Sequence, residues 1–490
     1  MELRERGGDV VVRTYFNYVR GEWIPTISGE VLESRNPATG EVVAYSQAST
    51  VEDVNDAVNS AVDALARSDW TSNSHRRFKA LLKWAQLIEE HQSELAIQLT
   101  MENGKPIREA RTEVAGAIDS LQYYAGMARN VFGRTFQPAE DNLGFITKEP
   151  VGVVAIITPW NWPVLLLFRD LAPALAAGNA VVVKPAEKTG AITARFFELL
   201  DDVPELPKGI VTLVTGKGSV IGNAIVEHPL TDMICFTGST KVGKGIMERA
   251  AHFVKKVALE LGGKSPNLVF DDADLEKAVA TSCRSLFMTS GQICMAGSRL
   301  LLQEGIYDRG VELAKRYAEN LIVGNGMYES TDMGPIISGD QFETIMRYIE
   351  EGRRLGNIVT GGYRLEGPEY DQGYFIAPTI IEGLGLDCSV VQEEIFGPVL
   401  VVEKFRTEQQ AIDMANATPY GLTAGVWTQD VSRAFRVSRA IRAGTVWVNG
   451  YNKNFAEAES GGFKQSGLGR ARGIEGLMEF TETKHINLSF

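Results

Sequence analysis

The sequence predicts an α/β fold with two successive strand–helix regions behind a helical segment. Three observations carry this. From residue 150 onward, short apolar runs alternate with amphipathic stretches, a rhythm that puts parallel strands in one sheet joined by helical crossovers. Between residues 51 and 130 apolar positions instead recur at three- and four-residue spacing, the helical period. The alternation then starts afresh after Gly262-Gly263, so a second sheet is expected beyond that pair.

The elements follow in order. Residues 1–20 are a mixed, charged lead-in, expected to be loosely held; residues 1–6 lead into no apolar run, so neither a signal nor a transit peptide is expected. Helices are predicted over 51–68, 74–103 and 109–130, with Gly104-Lys105-Pro106 separating the last two. The turn-rich, alternating stretch 132–150 reads as a hairpin outside both sheets. Strands are predicted at 151–157, 180–184, 210–214 and 233–236, followed by helices at 164–177, 189–200, 219–227 and 240–251. The second region opens with a strand at 265–270 and a helix over 275–289, and continues to about 448; 485–490 reads as a final strand. Ligands of such sheets bind beyond the carboxyl ends of the strands, and polar segments follow Ile157, Val183 and Phe236.

Composition narrows the partners. The chain has 490 residues, 44% hydrophobic and 23% charged, as in soluble globular proteins with two or three domains. No apolar run approaches the roughly 20 residues that span a bilayer. A net charge of −13 argues against nucleic acid or an anionic membrane as partner. The four cysteines, Cys235, Cys283, Cys294 and Cys388, show no CxxC spacing. They read as reduced thiols in a cytoplasmic compartment rather than a disulfide frame. The five histidines are scattered and form no HExxH, so no metal is expected.

Three segments carry the chemistry. Gly291-Gln292-Ile293-Cys294 puts a thiol just past a helix, residues 257–264 put Glu260 in an apolar setting, and Trp160-Asn161-Trp162 puts an amide at a strand end. A thiolate can attack an aldehyde carbon, an amide can hold the oxyanion, and a carboxylate can activate water against the thioester. Cys235, Cys283 and Cys388 have no such context and read as small buried hydrophobes.

These segments resemble the aldehyde dehydrogenase superfamily. The carriers are Pro159-Trp160-Asn161-Trp162-Pro163, Lys184-Pro185-Ala186-Glu187, Phe236-Thr237-Gly238-Ser239-Thr240, Leu259-Glu260-Leu261-Gly262-Gly263-Lys264, Gly291-Gln292-Ile293-Cys294 and Glu393-Glu394-Ile395-Phe396-Gly397-Pro398, and the resemblance as a whole runs from about residue 17 to 484. The resemblance implies two Rossmann-related α/β domains and a small arm. Residues 1–131 and 151–262 would bind NAD, 263–477 would form the catalytic domain, and 132–150 with 478–490 the oligomerisation segment of a homodimer or homotetramer. It also implies that Cys294 is the nucleophile, Glu260 the general base and Asn161 half of the oxyanion hole, with the Cys294 backbone N–H as the other half. Glu260 favours a free acid over transfer to coenzyme A.

By the same resemblance, NAD would be held by Ile157, Pro159, Trp160, Lys184, Glu187, Gly218, Gly222, Phe236, Gly238, Ser239, Gly243, Leu261, Glu394 and Phe396. Glu187 can accept from ribose hydroxyls and would repel a 2′-phosphate, which favours NAD over NADP. No GxGxxG follows any strand; Gly238 to Lys244 spells GxxxxGK, but Gly245 stands where a phosphate-binding loop needs Ser or Thr. Substrate-entrance residues would be Trp162, Leu166, Arg169, Met295 and Phe455, a mostly apolar tunnel for a small aldehyde. Two positions depart from the family pattern: Asp170 where lysine is frequent, and Ala471-Arg472 where glutamate commonly follows Arg470. Asp170 is read as an ion-pair partner in preference to a proton relay. The rival readings are a non-catalytic binding protein on the same scaffold and a thiol esterase.

Overall fold

The computed structural model of the protein describes residues 12–490; the charged residues 1–6 lie outside the described residues. Two large sheets organise the chain. The first has eight strands, and its centre is five parallel strands in the spatial order Lys256–Glu260, Met233–Thr237, Val153–Ile157, Ala180–Lys184 and Val211–Leu213. These are Val- and Ile-rich runs, and the central three are buried along their whole length, as strands covered on both faces must be. Strand order reverses between Val153–Ile157 and Met233–Thr237, so the crevice at their carboxyl ends is where a ligand fits.

Both edges of this sheet are closed by antiparallel strands. Asn17–Val19 and Glu22–Ile24 cover one side. Gly467–Leu468, from far along the chain, covers the other by pairing with Leu259 and Glu260. A Cβ at Gly467 would stand 2.2 Å from the Leu259 carbonyl oxygen, so only glycine allows this approach.

The second sheet has seven strands in the order Asn357–Thr360, Thr379–Glu382, Val399–Phe405, Arg299–Gln303, Pro266–Val269, Thr423–Trp427 and Thr445–Val448. All pairs are parallel except the one at the Asn357–Thr360 edge. The predicted hairpin exists as Arg134–Ala139 and Asn142–Pro150, and Thr481–Ser489 joins it as a third antiparallel strand. That last strand starts four residues earlier than the predicted 485, because its exposed polar residues gave no alternation to read.

Three further departures have physical causes. The lead-in is not loose from residue 13 onward: Arg13–Tyr15 and Asn17–Val19 are strands, and Asn17, Tyr18 and Val19 are buried. The Asn17 amide donates to Ser49 Oγ at 2.8 Å, and its oxygen accepts from the Thr215 N–H at 3.1 Å. The single helix predicted at 74–103 is two, Ser74–Glu90 and Gln92–Asn103, broken at His91 without a glycine or proline to mark it. The stretch 219–227 is a π-helical turn, Gly218–Gly222, leading into a short α-helix, Asn223–Glu227. No helix among the described residues is long and apolar enough to cross a membrane.

Candidate active site

Two cavities lie at the carboxyl ends of the first sheet, between it and the second. One, about 250 Å³, has walls including Trp162, Leu166, Met295 and Arg472. The other, about 260 Å³, has walls including Trp160, Gly238, Glu394 and Phe396. Three residues line both: Asn161, Glu260 and Cys294. The two spaces therefore meet at a thiol, a carboxylate and an amide that are 34 to 133 residues apart in sequence.

Cys294 is carried by a strained turn. The helix Leu275–Phe287 stops, and Thr289, Ser290 and Gly291 follow with φ of 47°, 56° and 72°. Left-handed backbone is costly for Thr and Ser, so neighbours must hold it. The Thr289 N–H and hydroxyl both donate to Glu109 Oε2, at 3.0 and 2.7 Å. The Ser290 hydroxyl donates to the Gly334 carbonyl at 2.7 Å. Gln292 Oε1 accepts from the Ile337 N–H at 3.1 Å. Gly291 is obligatory for a second reason: a Cβ there would lie 2.1 Å from the Gly397 carbonyl oxygen.

Asn161 follows the Val153–Ile157 strand, and its Nδ2 donates to the Gln292 carbonyl at 2.8 Å, leaving its second proton uncommitted. Its own carbonyl accepts from Lys105 Nζ at 2.7 Å. Lys105 is fully buried, ion-paired with Glu113, and lies over the Trp162 ring at 4.1 Å. Glu113 in turn accepts the Val164 and Leu165 N–H groups at 2.8 and 3.1 Å, which caps the helix Pro163–Ala177 at its positive end.

Electrostatics sets the reactive groups. Burial pushes the Cys294 thiol up to about 12, Glu394 and Glu260 add to this, and Arg169 opposes it. The thiol therefore needs a base. Burial also pushes the Glu260 carboxyl up to about 7, against the pull of Arg169. A carboxylate of that pKa is suited to taking protons near neutrality. Arg169 does not stand free. Its Nε and a terminal nitrogen donate to Asp170 at 2.9 and 3.0 Å, and the latter also donates to the Thr237 hydroxyl at 2.6 Å. Asp170 is thus paired with the residue beside it. Behind Glu260, Asp170, Arg470, Ala471 and Glu479 enclose a space of about 10 Å³, near the size of one water.

The residues expected at the cofactor separate into three groups. Pro159, Trp160, Gly238, Ser239, Leu261, Glu394 and Phe396 line the second cavity. Phe396 has φ 56° and packs edge-on to the Trp160 ring at 5.3 Å. Lys184, Glu187, Gly218 and Gly222 form a separate cluster. Glu187 Oε1 accepts the Gly218 N–H at 2.8 Å, and a Cβ on Gly222 would stand 3.8 Å from Lys184 Cδ. Ile157, Phe236 and Gly243 pack beneath the turn; a Cβ on Gly243 would meet Leu261 at 2.4 Å, and one on Gly238 would meet the Phe236 ring at 2.4 Å. That turn opens the helix Thr240–Ala251, capped by the Ser239 hydroxyl, so its free N–H groups face the cavity side. Lys244 donates to Gln465 at 2.9 Å, outside any phosphate cradle.

Among the expected entrance residues, Trp162, Leu166, Arg169 and Met295 line the first cavity. Phe455 does not: it is 59% exposed, and its neighbours Asn452 and Asn454 take the wall. The tunnel is also less apolar than expected, because Asp119 and Arg472 stand in it beside Arg169. Sequence reasoning missed Glu109, Lys105 and Glu113, all 8% exposed or less; a lysine between two helices and two glutamates in a helix carry no local signal of that burial.

Comparison with known proteins places this arrangement. The model of the aldehyde dehydrogenase family matches residues 23–486. The chain is similar to a betaine aldehyde dehydrogenase of Bacillus subtilis (strain 168), with 42% identity over 473 residues and 96% of each chain covered. It is similar to an aldehyde dehydrogenase of Emericella nidulans, with 41% identity over 96% of this chain and 94% of that one. A crystal structure of betaine aldehyde dehydrogenase from Staphylococcus aureus in complex with NAD+ superposes with a TM-score of 0.95 at 39% identity, covering 97% of this chain and 95% of that one.

Proposed function

The chain belongs to the aldehyde dehydrogenase family, and from that premise we propose that it oxidises an aldehyde to the free carboxylic acid with NAD+ as electron acceptor. One observation carries the reading: the two cavities, one sized for a small substrate and one with a glycine turn at a helix start, meet only at Asn161, Glu260 and Cys294.

Glu260 takes the thiol proton, directly or through water, and the Cys294 sulfur attacks the aldehyde carbon. The oxyanion accepts the uncommitted Asn161 amide proton and the Cys294 backbone N–H. Bound NAD+ supplies the acceptor for the hydride this carbon gives up. The Cys294 thioester that results is then attacked by water. Glu260, having passed the thiol proton on to solvent, takes a proton from this water, the C–S bond breaks, the acid leaves, and Glu260 returns its proton to the sulfur. Holding one oxyanion donor in place is worth about 10²–10³ in rate.

The glycine turn at Gly238, the Ser239-capped helix and the Trp160–Phe396 pair would hold the dinucleotide. The Glu187–Lys184 cluster would meet its ribose. Glu187, an acid, supports NAD rather than NADP. The arm formed by Arg134–Ala139, Asn142–Pro150 and Thr481–Ser489 exposes Phe136, Ile486 and Leu488, which supports a homodimer or homotetramer. The four unpaired cysteines fit a reducing cytoplasm. The test is NADH absorbance with an aldehyde panel for wild type and Cys294→Ala. Wild type should reduce NAD+, and the variant should show neither dehydrogenase nor thiol-dependent esterase turnover. Aldehyde oxidation by the variant would overturn the assignment.

A further inference from the structure

One guanidinium in the substrate cavity has no hydrogen-bond or ion-pair partner among the described residues. Arg472 stands in the wall with Asn161, Glu260 and Cys294, yet its side chain makes no hydrogen bond or ion pair with any described residue. Every other charge in that wall is answered or weakened. Arg169 is cancelled by the two-bond contact with Asp170. Glu260, pushed up to about 7 by burial, is only part-ionised near neutrality. Asp119, the remaining acid, is exposed to solvent, and partial desolvation, with Glu457, raises its pKa against the pull of Arg472. It sits beyond ion-pairing distance of Arg472. Burial, and then the charge of Arg169, press the Arg472 pKa down more than Tyr124, Asp119 and Asp170 raise it, and a bound anion would reverse that.

The backbone gives independent support. Arg472 has φ 65° and ψ 174°, a region that essentially only glycine adopts without strain. The chain has arrived there from Gly469 and Ala471 and begins the Gly473–Met478 helix. A strained, non-glycine residue with a free guanidinium at a cavity wall is what a binding group looks like, whereas a purely structural position would be served better by glycine.

We propose that this cavity takes an aldehyde that also carries a carboxylate, and that Arg472 binds that carboxylate while Cys294 attacks the carbonyl at the other end. This rests on the dehydrogenase reading above and names its substrate class. The planar guanidinium matches two carboxylate oxygens at once. The same charge disfavours an aldehyde bearing a quaternary ammonium group. Such a cation would need an aromatic cage, and Trp162 is the one aromatic ring in this wall among the described residues.

The test is kcat/KM, by NADH formation, for a series of ω-carboxy aldehydes of two to six carbons, the neutral alkanals of equal length, and a trimethylammonium aldehyde. Wild type should prefer at least one carboxy aldehyde over its neutral counterpart by about tenfold or more, mainly through KM. The trimethylammonium aldehyde should be the poorest. In Arg472→Gln and Arg472→Gly that preference ratio should fall toward one. Arg472→Gly relieves the strained backbone, so it should stay folded and melt no lower than Arg472→Gln. The matching dicarboxylate should compete with substrate in wild type and lose about tenfold in affinity in both variants. A wild type that oxidises neutral aldehydes equally well, or a ratio that neither variant moves, would overturn the inference and leave the dehydrogenase reading intact. No NADH from any aldehyde would sink both.

Discussion

Removing Glu109 should damage the catalytic turn although the residue lies outside both cavities. Glu109 Oε2 is the shared acceptor for the Thr289 N–H and hydroxyl, and both donors are buried. In Glu109→Ala two buried donors lose their partner, at about 1–3 kcal/mol each, and a cavity opens in place of the side chain. Thr289 and Ser290 sit at positive φ, so the energy holding them there is also lost. We expect a loss of about 3 kcal/mol or more, a fall in Tm of roughly 3 °C or more for a chain of this length, and a slower NADH burst, because Cys294 follows five residues after Thr289. Glu109→Gln keeps an oxygen that accepts both bonds, so it should recover most of the burst rate and Tm. Stopped-flow absorbance at saturating aldehyde, with a melting curve, measures both. If Glu109→Ala keeps the wild-type burst rate and Tm, the turn does not depend on this contact and the reasoning is wrong.

Four further outcomes are expected. Glu260→Gln should give a burst of NADH followed by a slow steady state, because deacylation needs activated water; in wild type the deacylation rate should rise with pH to half its plateau near pH 7, where Glu260 ionises, and the variant should lose that dependence. The same raised pKa means Glu260 favours the fold below its unfolded value and loses that contribution as pH rises through about 7, so Glu260→Gln should melt higher than wild type at pH 8, and the gap should close toward pH 5. Asp170→Asn should lower Tm while acylation and deacylation keep their ratio, because Asp170 serves Arg169; a selective fall in deacylation would instead make it a proton carrier to the small space beside Ala471. Glu187→Ser should reduce the preference for NAD over NADP in kcat/KM, and an unchanged ratio would remove Glu187 from ribose recognition.

The parallel sheets were legible because their strands are unbroken Val and Ile runs, such as Val153–Ile157 and Ala180–Lys184, ended by polar turns. The reactive residues were legible because each follows a local pattern: Asn161 between tryptophans, Glu260 before two glycines, Cys294 after Gly291-Gln292. What stayed hidden depends on long-range pairing. Arg13–Tyr15 is three residues long, and it is a strand only because Val42–Gln47 lies beside it. Glu109 reaches Thr289 across 180 residues, so its helical position says nothing of its partner. Nothing in Thr289-Ser290 announces a left-handed backbone, since neither residue type favours one. Arg472 drew notice only as the residue after Ala471, which stands where glutamate is expected; its place in a cavity wall required the fold. Phe455 read as an apolar wall residue, while Asn452 and Asn454 hold that place.

The strand Gly467–Leu468 bears on how the two halves can move. It belongs to the stretch that follows the second sheet, yet it pairs with Leu259 and Glu260 at the edge of the first, and the Ser466 carbonyl accepts the Leu261 N–H at 2.8 Å. A gaping motion about Gly262-Gly263 would have to tear these bonds from the very strand that carries Glu260. The halves are therefore latched like a clasp, not hung like a door. Aldehyde and cofactor must enter through separate openings on an already assembled centre, and the radius of gyration in solution should be the same with and without NAD+.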